Sequence, residues 1–354
     1  MYKLLRPLLF RLDAETSHDL VLDGLAKASN SRMICQAIKL VYGTKNLSKP
    51  RKLMGLTFPN PVGLAAGLDK QANACNALHA FGFGWIELGT VTPKPQAGNE
   101  KPRMFRLTNH NAIINRMGFN SIGLDKFITN LAKANPDIIK GINIGKNAAT
   151  PMEHANDDYL IGLRRVAEFA DYVTINISSP NTKNLRNLQQ DEQLDSLLGI
   201  LNHERQRLSD ELGKAIPLVL KISPDIDQVQ IHGITRLLRT HQIDGVAATN
   251  TTLSRHSVQN STLAPQASGL SGSPMHNQSV EIISALYGHL RGEIPIIGMG
   301  GIDSPQAAIT TLQAGADMIQ LYSGLIYQGP KLISQILKGI QKTKSYGVQD
   351  QHHR

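Results

Sequence analysis

Hydrophobic residues beyond position 55 form eight short runs, and longer segments with helical spacing separate most of them. The runs are rich in β-branched residues and almost uninterrupted, which is typical of parallel strands buried on both faces. The predicted strands cover 62–67, 85–91, 141–146, 172–178, 217–222, 245–250, 295–302 and 318–324. Predicted helices between them include 157–170, 191–212, 229–241, 280–290 and 304–314.

Eight such units within about 270 residues predict an α/β fold of the (β/α)₈ TIM barrel type. A doubly wound parallel sheet is the alternative, but that fold usually contains fewer strands and one fingerprint loop. The length of 354 residues leaves room for one barrel and a small N-terminal helical extension.

Almost every predicted strand ends in a polar residue or a glycine that a buried strand does not need. These residues include Lys70, Thr90, Asn143, Asn176, Lys221, Asn250, Gly301 and Ser323. A single residue of this kind marks an ordinary turn. Because the carboxyl ends of barrel strands meet at one mouth, their joint occurrence predicts an active site there.

Two of these strand-end residues, Lys70 and Lys221, are lysines. An ammonium group inside a barrel mouth must face an anion or lose its proton. An anionic ligand or an electron-rich cofactor is one interpretation, and a Schiff base on either lysine is the other. The segments 298–301 and 322–324 close the seventh and eighth strands, where barrels commonly build a phosphate site.

The charge distribution separates the barrel from the chain ends. The formal net charge is +9, but residues 1–52 contribute +6 and residues 331–354 contribute +4, so the body is nearly neutral. A neutral body and 5% aromatic residues argue against a nucleic-acid-binding protein. No metal-ligand spacing occurs, and two cysteines, Cys35 and Cys75, fit a reducing compartment.

The first 43 residues form short amphipathic segments. They are a leucine stripe over 4–12, a helix from an N-cap at Thr16 or Ser17 to residue 28, and a helix over 32–41 that ends at Gly43. No run of 18 apolar residues occurs, and Arg6, Pro7 and Arg11 interrupt the opening segment, so neither a spanning helix nor a signal peptide is predicted. Two interpretations stay open: helices lying on an anionic membrane, or a helical hairpin packed on the barrel with a solvated basic face.

The predicted strand ends belong to longer motifs that occur together. They are 63–70 (GLAAGLDK), 87–93 (ELGTVTP), 102–103 (PR), 115–120 (NRMGFN), 141–147 (GINIGKN), 176–182 (NISSPNT), 248–252 (ATNTT), 269–272 (GLSG), 298–303 (GMGGID) and 320–324 (QLYSG), with Lys221. On these motifs, and over essentially its whole length, the chain resembles the class 2, quinone-dependent dihydroorotate dehydrogenases.

The resemblance implies a barrel that binds FMN and oxidises (S)-dihydroorotate to orotate in pyrimidine (UMP) biosynthesis, with a quinone as second substrate. Ser179 matches the family's base, which removes a proton from C5 while a hydride passes from C6 to flavin N5; class 1 relatives carry cysteine there. Thr182 and Phe119 match positions that flank the proton path. Because a serine hydroxyl is a weak base, it needs a pocket without water and a relay.

The resemblance also assigns binding residues. The substrate positions are Lys70, Asn115, Arg116, Met117, Gly118, Phe119, Asn176, Asn181, Asn250 and Thr251. The FMN positions are Ala66, Gly67, Leu68, Asp69, Lys70, Thr90, Asn143, Asn176, Lys221, Thr249, Gly272, Gly301, Tyr322 and Ser323. In the second set Lys221 matches the lysine beside flavin N1 and O2, and the last four match the phosphate site.

The N-terminal segments occupy the place of a family extension that lies on the membrane and forms a quinone tunnel. The resemblance therefore favours a peripheral protein on the cytoplasmic side of the cell inner membrane. The predicted domains are a membrane and tunnel extension over 1–45, an FMN-binding barrel over 46–344 and a polar tail over 345–354. The expected partners are dihydroorotate, orotate, a membrane quinone and the anionic membrane surface. We expect a monomer that binds neither metal nor nucleic acid.

Two other function classes compete with this prediction. One is a flavin-free lyase with Lys70 or Lys221 as its Schiff-base lysine, which would be colourless and would yield an adduct trapped by borohydride. The other is a basic nucleic-acid-binding protein, which would form a salt-sensitive complex.

Overall fold

The computed structural model describes residues 2–44 and 47–345, so most of the predicted tail over 345–354 lies outside the described residues. The chain begins with three helices, α1 (Tyr2–Leu9), α2 (Ala14–Ser29) and α3 (Arg32–Tyr42). A short antiparallel hairpin, β1 (Arg51–Leu53) with β2 (Leu56–Phe58), precedes the barrel. None of the described helices is both long and apolar enough to cross a membrane.

The start of α2 differs from the prediction. Its N-cap is Asp13, whose carboxylate accepts hydrogen bonds from the backbone N–H groups of Glu15 and Thr16. The predicted N-cap at Thr16 or Ser17 is therefore wrong, because an aspartate one turn earlier already satisfies the free N–H groups of the first turn. The predicted third helix is confirmed: Ser31 caps α3 and Gly43 ends it.

Within the described ranges, eight parallel strands close into a barrel, which confirms the predicted fold. In chain order they are β3 (Val62–Leu64), β4 (Trp85–Val91), β7 (Lys140–Ile144), β8 (Tyr172–Asn176), β9 (Leu218–Ile222), β10 (Gly245–Ala248), β12 (Ile296–Met299) and β13 (Met318–Leu321). Around the barrel the order is β10, β12, β13, β3, β4, β7, β8 and β9. All their residues are buried, as expected of strands covered by helices.

The helices outside the barrel place their apolar stripes against it. They are α4 (Cys75–Ala80), α5 (Leu124–Leu131), α6 (Ala155–Val166), α7 (Asp191–Leu212), α8 (Gln228–Thr240), α9 (His276–Leu290), α10 (Pro305–Gln313), α11 (Ser323–Gln328) and α12 (Lys331–Ser345). In α7, for example, Leu194, Leu197 and Leu201 recur at helical spacing and are fully buried. Gly213 ends that helix in the left-handed conformation, which glycine adopts without strain.

The sequence pattern did not predict an antiparallel sheet that lies beside the barrel mouth. It consists of β5 (Met104–Leu107), β6 (Ala112–Asn115) and β11 (Gly269–Gly272), with β6 in the centre. The strands are only four residues long, and β11 pairs with a segment far away in sequence. This sheet carries Asn115 and Gly272 to the mouth.

The opposite end of the barrel is closed by large apolar side chains. Phe58 from the hairpin, Trp85 and Tyr172 are fully buried there, and the rings of Phe58 and Trp85 meet edge to face at 5.1 Å. The barrel is therefore filled below and open at the carboxyl ends of its strands, where barrel active sites form.

Candidate active site

A cavity opens at the carboxyl ends of the barrel strands. Its empty volume is about 1010 Å³, a figure that includes open solvent at the mouth. The strands and the loops that follow them supply most of its wall, for example Thr90 after β4, Asn176 of β8 and Lys221 of β9. The sequence-predicted mouth and this cavity coincide.

Most of the predicted site residues line this cavity. They are Ala66, Gly67, Lys70, Thr90, Asn115, Met117, Gly118, Phe119, Asn176, Ser179, Asn181, Lys221, Thr249, Asn250, Thr251, Gly272, Gly301, Tyr322 and Ser323. They come from loops and strands separated by up to about 250 positions in the sequence, and the closure of the barrel brings them together.

Five predicted residues do not line the cavity: Leu68, Asp69, Arg116, Asn143 and Thr182. The Asp69 carboxylate accepts from the backbone N–H groups of Asn73 and Ala74, and burial raises its pKa to about 6. Arg116 turns away, donates to the carbonyl of Pro102 and lies over the ring of Phe105.

The other three predicted residues, Leu68, Asn143 and Thr182, lie behind the wall of the cavity. Leu68 belongs to the hydrophobic core. Asn143 accepts a hydrogen bond from Thr90 at 2.6 Å, one layer below the cavity. Thr182 is buried, and in the described part of the chain its hydroxyl has no hydrogen-bond partner.

Several lining residues were missed in the sequence. They are Ala65, Pro180, Ser271, Met275, Ile302 and Gln320, whereas Met299, Gly300 and Gly324 also line the cavity but lie in the segments 298–301 and 322–324 predicted for the phosphate site. Most are apolar or small, and such residues carry no chemical signal in a sequence. Gln320 did carry a chemical signal, because an amide within a buried strand needs a hydrogen-bond partner. In the structure that partner is Glu87, which is also buried.

Amide side chains form one wall beside Ser179. The Nδ2 of Asn181 donates to the backbone carbonyl of Asn115 at 3.0 Å, and the Nδ2 of Asn250 donates to Ser178 Oγ at 2.9 Å. These contacts hold Asn115, Asn181 and Asn250 around the loop that carries Ser179, which is only 6% exposed. An array of fixed amides can bind a ring that has both carbonyl and N–H groups.

Lys70 also lines the cavity, and its ammonium donates to Oδ1 of Asn120. Burial, with a smaller effect of the Arg103 charge, lowers the pKa of Lys70 to about 7. The Glu15 and Asp19 carboxylates act weakly in the opposite direction, and a bound anion would raise the pKa further.

Lys221 lies at the bottom of the cavity and is almost fully buried. Burial lowers its pKa below the usual range, and the Glu87 carboxylate acts in the opposite direction. A cation in this position stabilises negative charge on whatever ligand covers it.

Polar atoms of the cavity wall that have no hydrogen-bond partner indicate that the cavity suits a flavin. The buried Oε1 of Gln320 and Oγ1 of Thr251 both belong to lining residues, and neither has a hydrogen-bond partner among the described residues. A flat heterocycle with N–H and carbonyl groups beside a cation would satisfy such atoms. At the other end Gly301, with φ of +68°, and Ser323, whose hydroxyl donates to Ser271 at 2.8 Å, offer the small polar wall that a phosphate needs.

The described residues contain no group of three or more His, Cys, Asp or Glu side chains that could hold a metal ion. The structure combines a parallel barrel with a mouth that holds the buried Lys221, the half-buried Lys70 and a wall of amides. These features define a class, the barrel enzymes that bind a flavin and a small anionic heterocycle.

Comparison with known proteins narrows this class. The family model described as dihydroorotate dehydrogenase matches residues 49–343. The protein "Dihydroorotate dehydrogenase (quinone)" of Psychrobacter sp. (strain PRwf-1) is 52% identical over 339 residues, which cover 96% of this chain and 97% of the relative. The protein of the same name from Burkholderia cenocepacia (strain HI2424) is 51% identical over 345 residues, 98% of this chain and 99% of the relative.

Solved structures agree with these relatives. The crystal structure of ligand-free DHODH from Eimeria tenella superposes with a TM-score of 0.86 at 37% identity, covering 95% of this chain and 96% of that one. The crystal structure of DHODH from Eimeria tenella in complex with ferulenol superposes with a TM-score of 0.85 at 36% identity, covering 96% of this chain and 95% of that one. The chain belongs to the dihydroorotate dehydrogenase family, an enzyme family of flavin-dependent oxidoreductases.

Proposed function

We propose that this chain oxidises (S)-dihydroorotate to orotate in pyrimidine biosynthesis, with FMN as hydride acceptor and a membrane quinone as second substrate. The relatives at about half identity over nearly the full length support the quinone-dependent activity. The observation that carries the proposal for the site is one cavity that joins the Ser179 loop, the amide wall and the buried Lys221.

The amide wall and Lys70 suit the substrate. Asn115, Asn181 and Asn250 present donors and acceptors to the carbonyl and N–H edges of a pyrimidine ring. The Lys70 ammonium would bind the carboxylate or the flavin, and the negative charge would hold its proton in place. Arg116 turns away from the cavity and donates to the carbonyl of Pro102, so its side chain would not contact a substrate bound there.

Ser179 is proposed to take the proton from C5 of the substrate. Ser179 is buried, so bulk water is kept away from its hydroxyl. A base as weak as serine requires such a pocket without water. The Thr182 hydroxyl, buried three residues further on and without a partner among the described residues, is free to join a relay. The apolar Phe119 ring lines the same cavity and would help to keep the proton path dry.

The bound FMN would supply the hydride acceptor. Lys221 would lie toward N1 and O2 of the flavin ring. Thr90, Asn176 and Thr249 would form the polar part of the cavity wall around the flavin. Gly272, Gly301 and Ser323 would hold the phosphate. Asn143 would act indirectly, because it hydrogen-bonds to both Thr90 and Asn176 from the layer below.

The N-terminal helices are proposed to lie on an anionic membrane and admit the quinone. Leu4 of α1, Met33 and Leu40 of α3 are 79%, 81% and 89% exposed, which a solvated hairpin would not favour. Lysines and arginines along the same segments would meet anionic headgroups. The cytoplasmic side of the inner membrane and a monomeric state are further parts of this proposal.

Anaerobic spectroscopy tests the function directly. The purified protein should be yellow, dihydroorotate should bleach the flavin absorbance, and a quinone should restore it. Ser179→Ala should retain the flavin and slow bleaching by orders of magnitude, whereas Ser284→Ala on the exposed side of α9 should not. A colourless protein would overturn the flavin assignment, and rapid bleaching of Ser179→Ala would overturn the base.

A further inference from the structure

A buried carboxylate lies beneath the active-site cavity and takes no part in the proposed reaction. Glu87 on β4 is 0% exposed. Its Oε1 accepts a hydrogen bond from Asn143 Nδ2 at 2.8 Å, and its Oε2 accepts from the hydroxyl of Tyr172 at 3.0 Å and from Gln320 Nε2 at 2.7 Å. These donors are neutral, so they reduce the cost of burying the carboxylate without balancing its charge.

A buried lysine, Lys221, lies close to this carboxylate within the barrel. Glu87 accepts from Asn143, Asn143 accepts from Asn176 at 3.0 Å, and Asn176 on β8 is the register partner of Lys221 on β9. Burial lowers the pKa of Lys221, and the Glu87 charge acts in the opposite direction. Glu87 and Lys221 are both buried, and Gln320, which donates to Glu87, lines the same cavity as Lys221.

No other ionisable group around the described cavity supplies a negative charge to Lys221. Lys70 at the mouth carries the same sign, and Asp69 is turned to backbone N–H groups of its own loop. Tyr322 and Tyr172 keep their protons, because burial raises the pKa of Tyr322 to about 12 and that of Tyr172 well above its usual range.

We propose that Glu87 is a positioning residue for the flavin site, as the fixed counter-charge that keeps the Lys221 ammonium charged whether or not the flavin carries extra electrons. The inference rests on the proposed function in one respect, that Lys221 lies beside the flavin. It gives a physical reason for a hydrogen-bonded carboxylate within the barrel, which an apolar residue could otherwise replace.

The counter-charge would fix the number of protons that the protein takes up when the flavin is reduced. With Lys221 charged in both states, a two-electron reduction adds a proton to the flavin alone. Without the counter-charge, burial would favour the neutral amine of Lys221 in the oxidised protein, and the negative charge of a reduced flavin would then draw a proton from water onto this amine. Reduction by two electrons then takes up one additional proton.

Potentiometry of the holoenzyme measures this difference. The flavin midpoint potential is followed with dithionite between pH 6 and 9 for wild type, Glu87→Gln and Glu87→Asp. We expect the potential of Glu87→Gln to fall more steeply with pH, by up to about 30 mV per pH unit for the additional proton. Glu87→Asp keeps the charge while shortening the side chain, so it should retain the wild-type slope.

The outcomes separate this inference from the proposed function. A wild-type slope in Glu87→Gln, or an equally steep slope in Glu87→Asp, would overturn the counter-charge. Lys221→Met serves as the reference: if it leaves the flavin potential unchanged, Lys221 does not lie beside the flavin and the proposed site itself is wrong. A lowered potential in Lys221→Met with an unchanged slope in Glu87→Gln defeats only the role of Glu87.

A stability cycle covers the case in which Glu87→Gln does not fold. The double variant Glu87→Gln/Lys221→Met removes both charges, and it should fold and lose less stability relative to Lys221→Met than Glu87→Gln loses relative to wild type. An equal loss in both backgrounds, or failure of the double variant to fold while Lys221→Met folds, would mean that Glu87 acts independently of Lys221 and would refute the proposal.

Discussion

The ion pair that joins the N-terminal helices to the barrel offers a direct test of how the two parts are held together. Glu15 on α2 and Arg103 are both buried, at 5% and 7% exposure. The Arg103 guanidinium donates to the Glu15 carboxylate at 2.8 Å through Nη2 and at 3.1 Å through Nε. Glu15→Ala would leave this guanidinium buried without its counter-charge.

The size of the effect follows from the contacts that remain. Removing one partner of a buried pair costs roughly 3–5 kcal/mol. Arg103 would keep its hydrogen bonds to the carbonyls of Ala97 and Asn99, so we expect the lower end, about 3 kcal/mol. That is roughly two powers of ten in the equilibrium for docking of α2. Lys101 also meets Glu15, but it is exposed, and Lys101→Gln should cost less than about 1 kcal/mol.

Hydrogen exchange over residues 14–29 and chemical denaturation measure this cost. The pH adds a second signature. Burial tends to raise the pKa of Glu15, but hydrogen bonds from Arg103 and Lys101 outweigh it and leave the pKa lowered. A lowered pKa in the folded state stabilises the protein above the unfolded pKa, and this stability is lost as the pH falls through the folded value. Wild type and Glu15→Ala should therefore converge in acid. A cost below 1 kcal/mol, or no convergence, would refute the reasoning.

Three further predictions concern the site, the core and the membrane face. The pKa of Lys70 is lowered to about 7, so the KM for dihydroorotate should rise as the pH increases above 7, and Lys70→Arg should flatten this rise in steady-state assays. Leu197→Ala should lower the free energy of unfolding by about 2–5 kcal/mol in urea denaturation, because Leu197 is fully buried in α7. The exposed pair Met33→Glu/Leu40→Glu should leave the melting temperature unchanged and weaken sedimentation with anionic liposomes, and undiminished sedimentation would count against the membrane face.

The barrel strands were predictable because their burial on both faces leaves a direct mark in the sequence. The strand Trp85–Val91 has the predicted bounds, and it is buried at every position. The strand β9 also ends at its predicted residue, Ile222, whereas the other six end two or three residues early, since residues such as Gly67 and Asn250 belong to the loops that form the mouth. The N-cap of α2 was mispredicted because Asp13, Thr16 and Ser17 are all residues that can cap a helix, and the pattern alone does not rank them.

The sequence by itself determined the barrel, the polar strand ends and the candidates for catalysis, because each follows from local periodicity, residue chemistry or a motif. Only the tertiary structure decided which of these side chains share a cavity. In the structure Arg116 points away from the cavity, Thr182 lies behind the cavity wall, and β6 pairs with β11. The tertiary structure also brought Glu87 against groups from three other strands, β7, β8 and β13. These outcomes depend on the register and closure of strands that are distant in the chain, and no local pattern encodes that register.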